Sequence, residues 1–321
     1  MQKQTILIAG GAGFIGANLA EKLLKQGHTV VVIDNFITGS KMNIENLKKN
    51  KNFHFIQADI VKTKNFKAGI KKLGFQFSRI YDLACPASPV DFAKYPFEIL
   101  WVNSLGVRNL LELSLKDQAR FLQTSTSEVY GEPLEHPQRE SYRGNVNPIG
   151  PRSCYDESKR FAESLIMNYK VHKKADVRMV RIFNTYGPKM RANDGRVMPN
   201  FINQALQNKN ITIYGDGSQT RSFCYVDDLV EGLINAMEAD YENGPINLGN
   251  PDEHTILDLA YKIIQLTGSE SKIIHQDLPK DDPSKRKPDI SLARQKLNWS
   301  PKVSLEEGLK KTIEYFRGLT G

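Results

Sequence analysis

Short apolar runs alternate with stretches of helical periodicity through the first half of the chain. The runs TILIAG, TVVVID, FHFIQAD, RIYDLA, RFLQTST and VRMVRIFN have the length and β-branched character of buried strands. The intervening stretches GFIGANLAEKLLKQG and LGVRNLLELSLK have the apolar spacing of helices, and the first ends at Gly27. Because strands that alternate with helices form parallel sheets, the pattern predicts an α/β fold of the Rossmann type with a doubly wound parallel sheet.

The pattern changes after Asn184. TYGPKMRANDGR is loop-like, whereas VMPNFINQALQNK and TILDLAYKIIQLTG have helical periodicity within otherwise irregular sequence. We therefore expect residues 1–185 to form the Rossmann domain, with residues 224–250 returning to it. Residues 186–223 and 251–321 are expected to form a smaller, mixed C-terminal lobe that binds substrate.

Composition and charge exclude several classes of protein. The net charge of +8 comes from short lysine clusters mixed with acids, which is typical of a solvated basic surface or an anion-attracting site. Nucleic-acid binding is not expected, because the lysines do not alternate with aromatic residues on one element. The three cysteines, Cys85, Cys154 and Cys224, are widely spaced, so neither a disulfide framework nor a metal site is predicted. The apolar runs are too short for a membrane span, and a strand begins too early for a signal peptide, so we expect a cytoplasmic protein.

A glycine-rich turn follows the first predicted strand. In ILIAGGAGFIG, Gly10, Gly13 and Gly16 lie between a strand and a helix, where glycine permits a tight turn and close approach to a pyrophosphate. The second strand ends in Asp34, whose carboxylate suits the ribose hydroxyls of an adenosine and repels a 2′-phosphate. The combination predicts NAD rather than NADP as cofactor.

Tyr155 and Lys159 are four residues apart in SCYDESKRFAESL and so share one face of a predicted helix. A free tyrosine is a weak base at neutral pH. A cation about 4 Å away contributes roughly 4 kcal/mol at an effective dielectric constant of 20, which lowers the tyrosine pKa substantially. This pair therefore predicts a base that takes a proton from an alcohol during hydride transfer.

The glycine motif, Asp34, the hydroxyls at the end of RFLQTST and the Tyr155–Lys159 pair together resemble the extended short-chain dehydrogenase/reductase family. That family includes nucleotide-sugar epimerases, dehydratases and decarboxylases. The stretches STSEVYG, VNPIGPRSCYDESKR, RIFNTYGP, NDGRV, GSQTR, NLGNPDEHTI and DDPSKRKPDI resemble, within it, the UDP-glucuronate decarboxylases (UDP-xylose synthases). The likeness covers essentially the whole chain.

The resemblance implies the residues of the site. The cofactor contacts that it implies are Gly10, Gly13, Phe14, Ile15, Gly16, Asp34, Asn35, Thr38, Gly39, Asp59, Ile60, Leu83, Ala84, Tyr155 and Lys159. The catalytic residues that it implies are Thr126, Ser127, Glu128, Tyr155, Lys159 and Arg286. The nucleotide-sugar contacts that it implies are Asn184, Arg191, Arg196, Tyr214, Arg221 and Arg286.

The residues after Thr126 distinguish the reactions within the family. The related 4,6-dehydratases carry Thr-Asp-Glu there, whereas this chain carries Thr126-Ser127-Glu128, and serine is a poor proton donor for dehydration. The 4-epimerases usually have a small neutral residue in place of Glu128. The resemblance therefore implies NAD-dependent decarboxylation of UDP-glucuronate. It also implies a homodimer, since members of the family commonly dimerise through the helix that carries Tyr155. A nucleotide-sugar or UDP-glucuronate epimerase and a catalytically silent NAD sensor are the alternatives.

Overall fold

Strands and helices alternate along the chain as the sequence predicts. The computed structural model describes residues 3–241, 244–277 and 285–320. Within these ranges the strands are β1 (Thr5–Ala9), β2 (Thr29–Asp34), β3 (Phe53–Gln57), β4 (Arg79–Asp82), β5 (Arg120–Thr126), β6 (Val177–Ile182), β7 (Thr185–Tyr186), β8 (Ile211–Tyr214), β9 (Thr220–Ser222), β10 (Cys224–Tyr225), β11 (Ile246–Leu248), β12 (Glu253–Thr255), β13 (Ile273–Gln276) and β14 (Lys285–Arg286). The six apolar runs that predict buried strands correspond to β1 to β6, which confirms those predictions.

The helices cover the sheet and build the C-terminal lobe. In the same described ranges they are α1 (Phe14–Lys25), α2 (Lys41–Glu45), α3 (Thr63–Leu73), α4 (Pro89–Lys94), α5 (Pro96–Trp101), α6 (Val107–Asp117), α7 (Ser153–Lys173), α8 (Val197–Leu206), α9 (Val226–Glu238), α10 (Ile256–Thr267), α11 (Ser291–Leu297) and α12 (Leu305–Thr320). Short 3-10 helices lie at Leu47–Lys49 and Ser127–Tyr130, and a π-helical turn lies at Val102–Gly106. No helix among the described residues is both long and apolar enough to cross a membrane.

The main sheet is parallel, and its order in the described part of the chain is β11-β6-β5-β4-β1-β2-β3. The chain proceeds outward in one direction from β1 to β3 and in the other from β4 to β6, so the order reverses between β1 and β4. Ligands of such sheets bind outside the carboxyl ends of the strands at this reversal. The expected doubly wound α/β fold is confirmed.

Helices pack on both faces of the sheet because alternate strand residues point to opposite sides. On β2, Val30 and Val32 join a core with α1 and α9, whereas Val31 and Ile33 join a second core with α3, α6 and α7. Every residue of β2 is buried, as expected of a central parallel strand.

The C-terminal lobe is built from small sheets and helices that lie beyond the carboxyl edge of the main sheet. In the described residues β9 joins β12 and β14, and β8 pairs with β13. The core of this lobe, from α8, α10 and α12, is continuous with the core on the α1 and α9 side of the main sheet. β11 returns to the main sheet as its outermost strand, beside β6.

Candidate active site

A cleft of about 850 Å³ runs along the carboxyl edge of the main sheet and is closed on its other side by the C-terminal lobe. All residues assigned to the site from the sequence line this cleft, namely Gly10, Gly13, Phe14, Ile15, Gly16, Asp34, Asn35, Thr38, Gly39, Asp59, Ile60, Leu83, Ala84, Thr126, Ser127, Glu128, Tyr155, Lys159, Asn184, Arg191, Arg196, Tyr214, Arg221 and Arg286. The fold therefore brings together residues that span most of the chain.

The glycine turn at one end of the cleft has no room for side chains. A Cβ atom on Gly10 would lie 2.6 Å from the carbonyl oxygen of Leu83, and Gly10 has a φ of +76°. A Cβ atom on Gly16 would lie 2.3 Å from the carbonyl oxygen of Gly10. The bare backbone at the start of α1, which Gly13 caps, is the arrangement that a pyrophosphate needs for close approach. These residues fit a dinucleotide.

Asp34 closes the turn from the adjacent strand. Its carboxylate accepts hydrogen bonds from the backbone amides of Ala12 at 2.9 Å and Phe36 at 2.8 Å. Burial raises its pKa, although these two hydrogen bonds act in the opposite direction. Because an ionised carboxylate has about four acceptor sites, lone pairs remain for ribose hydroxyls. A Cβ atom on Gly39 would lie 2.8 Å from the Asp34 carboxylate, so Gly39 keeps the approach to Asp34 open.

The catalytic candidates lie where β5 ends and α7 begins. Thr126 caps the 3-10 helix that follows β5, and its hydroxyl accepts a hydrogen bond from the amide of Glu128 at 3.2 Å. The Thr126 hydroxyl also lies close enough to the Tyr155 hydroxyl to lower the pKa of the phenol. The Tyr155 ring is 6% exposed and stacks on Phe92 with ring centroids 4.8 Å apart.

Lys159 lies one helical turn after Tyr155, as the spacing predicts. Its Nζ atom donates to the carbonyl oxygen of Thr124 at 2.9 Å and lies 5.9 Å from the centroid of the Tyr155 ring. Burial raises the pKa of Tyr155, the neighbouring Cys85 thiol raises it further, and the nearby Thr126 hydroxyl lowers it. The net direction is opposite to the one expected from Lys159, because desolvation of the phenol outweighs favourable contacts. Positive charge brought near the phenol oxygen acts in the opposite direction and favours the base form.

Glu128 is held in its ionised form. Burial raises the pKa of this carboxyl, but the charges of Arg286, Arg152 and Arg221 outweigh burial and lower the pKa to about 2. Arg152 donates a short hydrogen bond from Nη2 to Oε2 of Glu128, and Nη2 of Arg286 lies 3.5 Å from the same oxygen. A fixed negative charge, flanked by arginines, therefore lies two residues after Thr126.

Arg286 reaches this position because β14 pairs in parallel with β9, which places it beside Arg221. It is 1% exposed, and its Nη1 atom donates to the carbonyl oxygen of Ser127 at 3.0 Å. Its Nε and Nη2 atoms have no hydrogen-bond partner among the described residues. Buried guanidinium donors without partners are rare, and here they face the cleft, where an anionic ligand group satisfies them.

Two arginines in the loop before α8 are held by carboxylates. Arg191 pairs with Asp91 of α4 at 2.5 Å, and the Nη2 atom of Arg196 donates to Asp194 at 2.9 Å. The hydroxyl of Ser88 also donates to the carbonyl oxygen of Asp194. The protein's own carboxylates thus hold both guanidinium groups in position.

The remaining predicted contacts come from the C-terminal lobe and the end of β6. Arg221 is buried and donates to the carbonyl oxygen of Thr220 at 2.9 Å. Tyr214 is 43% exposed on the rim. The backbone carbonyl oxygen of Asn184 accepts a hydrogen bond from the backbone amide of Cys224 at 2.9 Å. Asn184 also lines the cleft.

Sequence reasoning missed Arg152, Asp156, Phe92, Asp91 and Asp194 as parts of the site. Arg152 and Asp156 lie three residues before and one after Tyr155, so helical spacing could have placed Arg152 near it. No local pattern marks the other three, because they meet their partners only through the packing of α4 and of the loop before α8.

Comparisons with known proteins agree with this geometry. The family model described as GDP-mannose 4,6 dehydratase matches residues 7–312. UDP-glucuronic acid decarboxylase 1 from Arabidopsis thaliana is 51% identical over 312 residues, which cover 97% of this chain and 69% of the relative. The Xenopus tropicalis protein of the same name is 50% identical over 315 residues, which cover 98% of this chain and 72% of the relative.

Solved structures show the same architecture. UDP-glucuronic acid 4-epimerase from Bacillus cereus, in complex with UDP-glucuronic acid and NAD, superposes with a TM-score of 0.86 at 31% identity. The match covers 98% of this chain and 99% of that structure. The chain therefore belongs to the extended short-chain dehydrogenase/reductase family and, within it, to the UDP-glucuronic acid decarboxylases.

Proposed function

We propose that the protein converts UDP-glucuronate to UDP-xylose by C4 oxidation, loss of CO2 from the resulting β-keto acid and reduction at C4. The observation that carries this proposal is the buried Glu128–Arg286 pair next to Thr126 and Tyr155. Oxidation at C4 alone needs only the hydroxyl groups, whereas a buried arginine with unpaired donors suits a carboxylate on the substrate. The names of the decarboxylase relatives and the UDP-glucuronic acid bound to the related epimerase support the same substrate.

The enzyme is NAD-dependent. NAD held by these residues would supply the hydride acceptor for C4 and the hydride donor for the later reduction, and its oxidised form would carry a positive charge. Tyr155 takes the proton of the C4 hydroxyl and gives it back to the same oxygen, while the Thr126 hydroxyl holds that oxygen. Lys159 supplies a fixed cation near the Tyr155 ring.

Three residues act at the carboxyl-bearing end of the sugar. Arg286 binds the carboxylate through its unpaired guanidinium donors, and Ser127 fixes the guanidinium through its carbonyl oxygen. The ionised Glu128 disfavours a second negative charge beside it and so favours neutral CO2 over the bound carboxylate. The C4 carbonyl accepts the electron pair that the departing CO2 leaves behind.

Three further arginines of the cleft bind the UDP group. Arg191, Arg196 and Arg221 are placed to bind the diphosphate, because a guanidinium can donate two parallel hydrogen bonds to phosphate. Asn184 and Tyr214 complete this site with an amide and an aromatic ring.

The NAD site uses the carboxyl ends of the first four strands. Gly10, Gly13, Phe14, Ile15 and Gly16 surround the pyrophosphate at the start of α1. The remaining contacts are Asp34, Asn35, Thr38 and Gly39 at the ribose, Asp59 and Ile60 at the adenine, and Leu83 and Ala84 beside the rest of the cofactor.

This assignment uses a two-part organisation of the chain. Residues 1–185 and 224–250 bind NAD, and residues 186–223 and 251–321 bind the nucleotide sugar. The position of β11 in the main sheet supports the return of residues 224–250 to the first part. A cytoplasmic location stays a prediction from the sequence.

The protein also forms a homodimer in this proposal. Phe97 and Trp101 on α5, Leu105 in the π-helical turn and Phe161 on α7 are between 42% and 66% exposed. These elements pack against one another, so the side chains belong to one region of the surface. Large exposed apolar groups on neighbouring helices are typical of a protein–protein interface.

The function is tested by incubating the purified protein with UDP-glucuronate, with and without added NAD, and measuring the masses of the nucleotide sugars. A product lighter by CO2 without accumulation of NADH is expected, because the hydride returns to C4. Loss of CO2 with accumulating NADH would show release of the keto sugar before reduction. An unchanged mass would contradict decarboxylation, and a changed configuration at that mass would identify an epimerase. Any turnover would exclude a silent NAD sensor.

A further inference from the structure

Decarboxylation consumes one proton that the residues assigned above do not supply. When the substrate carboxylate leaves as CO2, its bonding pair stays on C5, where it is delocalised into the C4 carbonyl. C5 must then gain a proton, while the proton held by Tyr155 belongs to the C4 oxygen and returns to it on reduction. The C5 proton therefore comes from solvent and needs its own route, an inference that rests on the proposed function.

A second cavity lies behind Glu128 and has a volume of about 70 Å³. It is lined by Glu128, Gly131, Glu132, Asn145, Asn147, Arg152, Asp156 and Arg286. We call this cavity the side compartment. Glu128, Arg152 and Arg286 line both the side compartment and the main cleft, so their ion pairs form the boundary between the two. Since one water needs roughly 10–15 Å³ of such space, the side compartment has room for several.

The side compartment contains buried polar atoms that the protein itself does not satisfy. Oδ1 of Asp156, which lines the side compartment and not the main cleft, has no hydrogen-bond partner among the described residues. The Arg286 donors without partners are assigned above to the substrate carboxylate. Asp156 is 7% exposed and Arg286 is 1% exposed. Acceptors and donors that are buried around a polar cavity of this size are the partners that ordered water requires.

We propose that Asp156, acting through water in the side compartment, supplies the proton that C5 takes up. The Asp156 carboxylic acid gives its proton to a compartment water, a proton passes from water to C5 across the boundary, and the carboxylate regains a proton from solvent. Glu128 does not serve as this acid because its pKa is about 2, and arginine does not release protons in proteins. Asp156 acts through water, so it is a proton-supplying residue rather than a contact of the substrate.

The charges around Asp156 support this assignment. Burial raises its pKa, the negative charge of Glu128 raises it further, Arg152 and Arg286 act in the opposite direction, and Glu157 adds a small increase, with a result of about 7. Glu132 also lines the compartment. Because the protonated form is the active one, turnover falls as the pH rises through about 7.

The test compares the wild-type enzyme with Asp156→Asn, which keeps the shape of the side chain but carries no exchangeable acid. We expect kcat at pH 6.5 to fall about tenfold or more, KM for UDP-glucuronate to change less than about twofold, and the decline of kcat near pH 7 to disappear. With ¹³C-labelled CO2 present, a C5 carbanion that waits longer for its proton recaptures CO2. Residual UDP-glucuronate should therefore gain more label per turnover in the variant.

Two further variants make the outcome decisive. Glu157→Gln removes the adjacent carboxylate, which pairs with Arg160 at 3.7 Å on the surface, and should retain the decline near pH 7. Asp156→Glu keeps a carboxylic acid at this position and should show a decline of kcat at a shifted pH. This variant also tests the proposal if Asp156→Asn does not fold. An unchanged pH profile in Asp156→Asn, with or without loss of rate, overturns the proposal. Absence of CO2 release by the wild-type enzyme would instead refute the proposed function.

Discussion

Glu128 and Asp156 are buried carboxyls beside the same arginines, yet their pKa values are shifted from the usual range in opposite directions. Arg152 and Arg286 lie directly at the Glu128 carboxylate and lower its pKa to about 2. Asp156 instead lies close to the negative charge of Glu128, and burial raises its pKa to about 7. Neighbouring carboxyls with separated pKa values are typical of sites where one stays charged while the other exchanges protons.

Substitution of Glu128 by glutamine tests the role of the fixed charge. The amide keeps the size of the side chain and one acceptor oxygen, but it no longer opposes a carboxylate in the site. We expect the rate of CO2 release to fall by about 10²-fold or more, with UDP affinity changed much less, because Arg191 and Arg196 keep their own carboxylate partners. Mass spectrometry of the sugars and titration calorimetry with UDP measure the two effects.

Glu112→Gln is the matched control, since Glu112 lies on the exposed side of α6 and accepts a hydrogen bond from the hydroxyl of Tyr169 on α7. It should turn over at the wild-type rate. Near-normal CO2 release by Glu128→Gln would contradict the role of Glu128.

Asp82, at the end of β4, gives a pH-dependent prediction of stability. It is 1% exposed, and burial raises its pKa to about 6, although the charge of Lys159 acts in the opposite direction. Because the folded pKa exceeds the unfolded value of 3.8, this carboxyl lowers the free energy of unfolding progressively as the pH rises from 3.8 through 6. Asp82→Asn removes this titration, so its free energy of unfolding should gain about 2 kcal/mol relative to wild type between pH 4 and pH 7.

Urea unfolding at both pH values measures that difference. Asp227→Asn removes an exposed carboxyl from the first turn of α9 and controls for the loss of one charge. A constant difference between Asp82→Asn and wild type at the two pH values would contradict the argument.

At the scale of secondary structure elements, the β1–α1 turn is shaped by its contact with the end of β4. Gly10 adopts a positive φ and also lies against the Leu83 carbonyl, so an added methyl group meets both strain and a clash. We expect Gly10→Ala to lose most bound NAD and to unfold at lower temperature. Cofactor content after purification and thermal unfolding measure these losses.

Gly74 allows the two effects to be separated. It has a φ of +67°, close to that of Gly10, but a Cβ atom there would meet nothing within 4 Å. Gly74→Ala should therefore lose about 1 kcal/mol of stability from backbone strain and keep its full NAD content. Equal NAD content in the two variants would show that the close approach to β4 is not required.

The elements show which parts of the site the sequence could predict. The Gly10 turn, Asp34 and the end of β5 follow from local patterns, because each lies at a junction that periodicity marks. The position of Arg286 does not, since it depends on the pairing of β14 with β9, which are short strands far apart in the chain. The raised pKa of Tyr155 could not be predicted from the local sequence either, because the burial that raises it comes from Phe92 and the rest of the fold.

At the scale of the whole molecule, the two sides of the cleft are joined by contacts far apart in sequence. Arg191 pairs with Asp91, and Ser88 donates to Asp194, so the lobe is held against the loops after β4. Residues of α4 and α5 also line the cleft. The residues proposed for the cofactor and those proposed for the nucleotide sugar therefore line one continuous cleft, as hydride transfer between the two ligands requires.

The proposed dimer connects this space to the molecular surface. Trp101 is 52% exposed on the outside of α5 and also lines the cleft, and Tyr155 and Phe161 lie on α7. A partner that covers Phe97 and Phe161 would therefore restrain the two helices that border the reacting end of the cleft. Association and cofactor retention should depend on the same surface.

Phe97→Glu tests this dependence by placing a charge on the 66% exposed position of α5. We expect the variant to sediment as a monomer, where the wild-type protein sediments as a dimer, and to lose NAD faster on dilution. Ile149→Glu adds the same charge to an apolar side chain that is 91% exposed on a loop, and it should leave both properties unchanged. A monomeric wild-type protein would refute the dimer itself. A monomeric Phe97→Glu variant that retains NAD normally would support the dimer interface. It would contradict the link between dimer formation and cofactor retention, because the helices would then hold their positions without a partner.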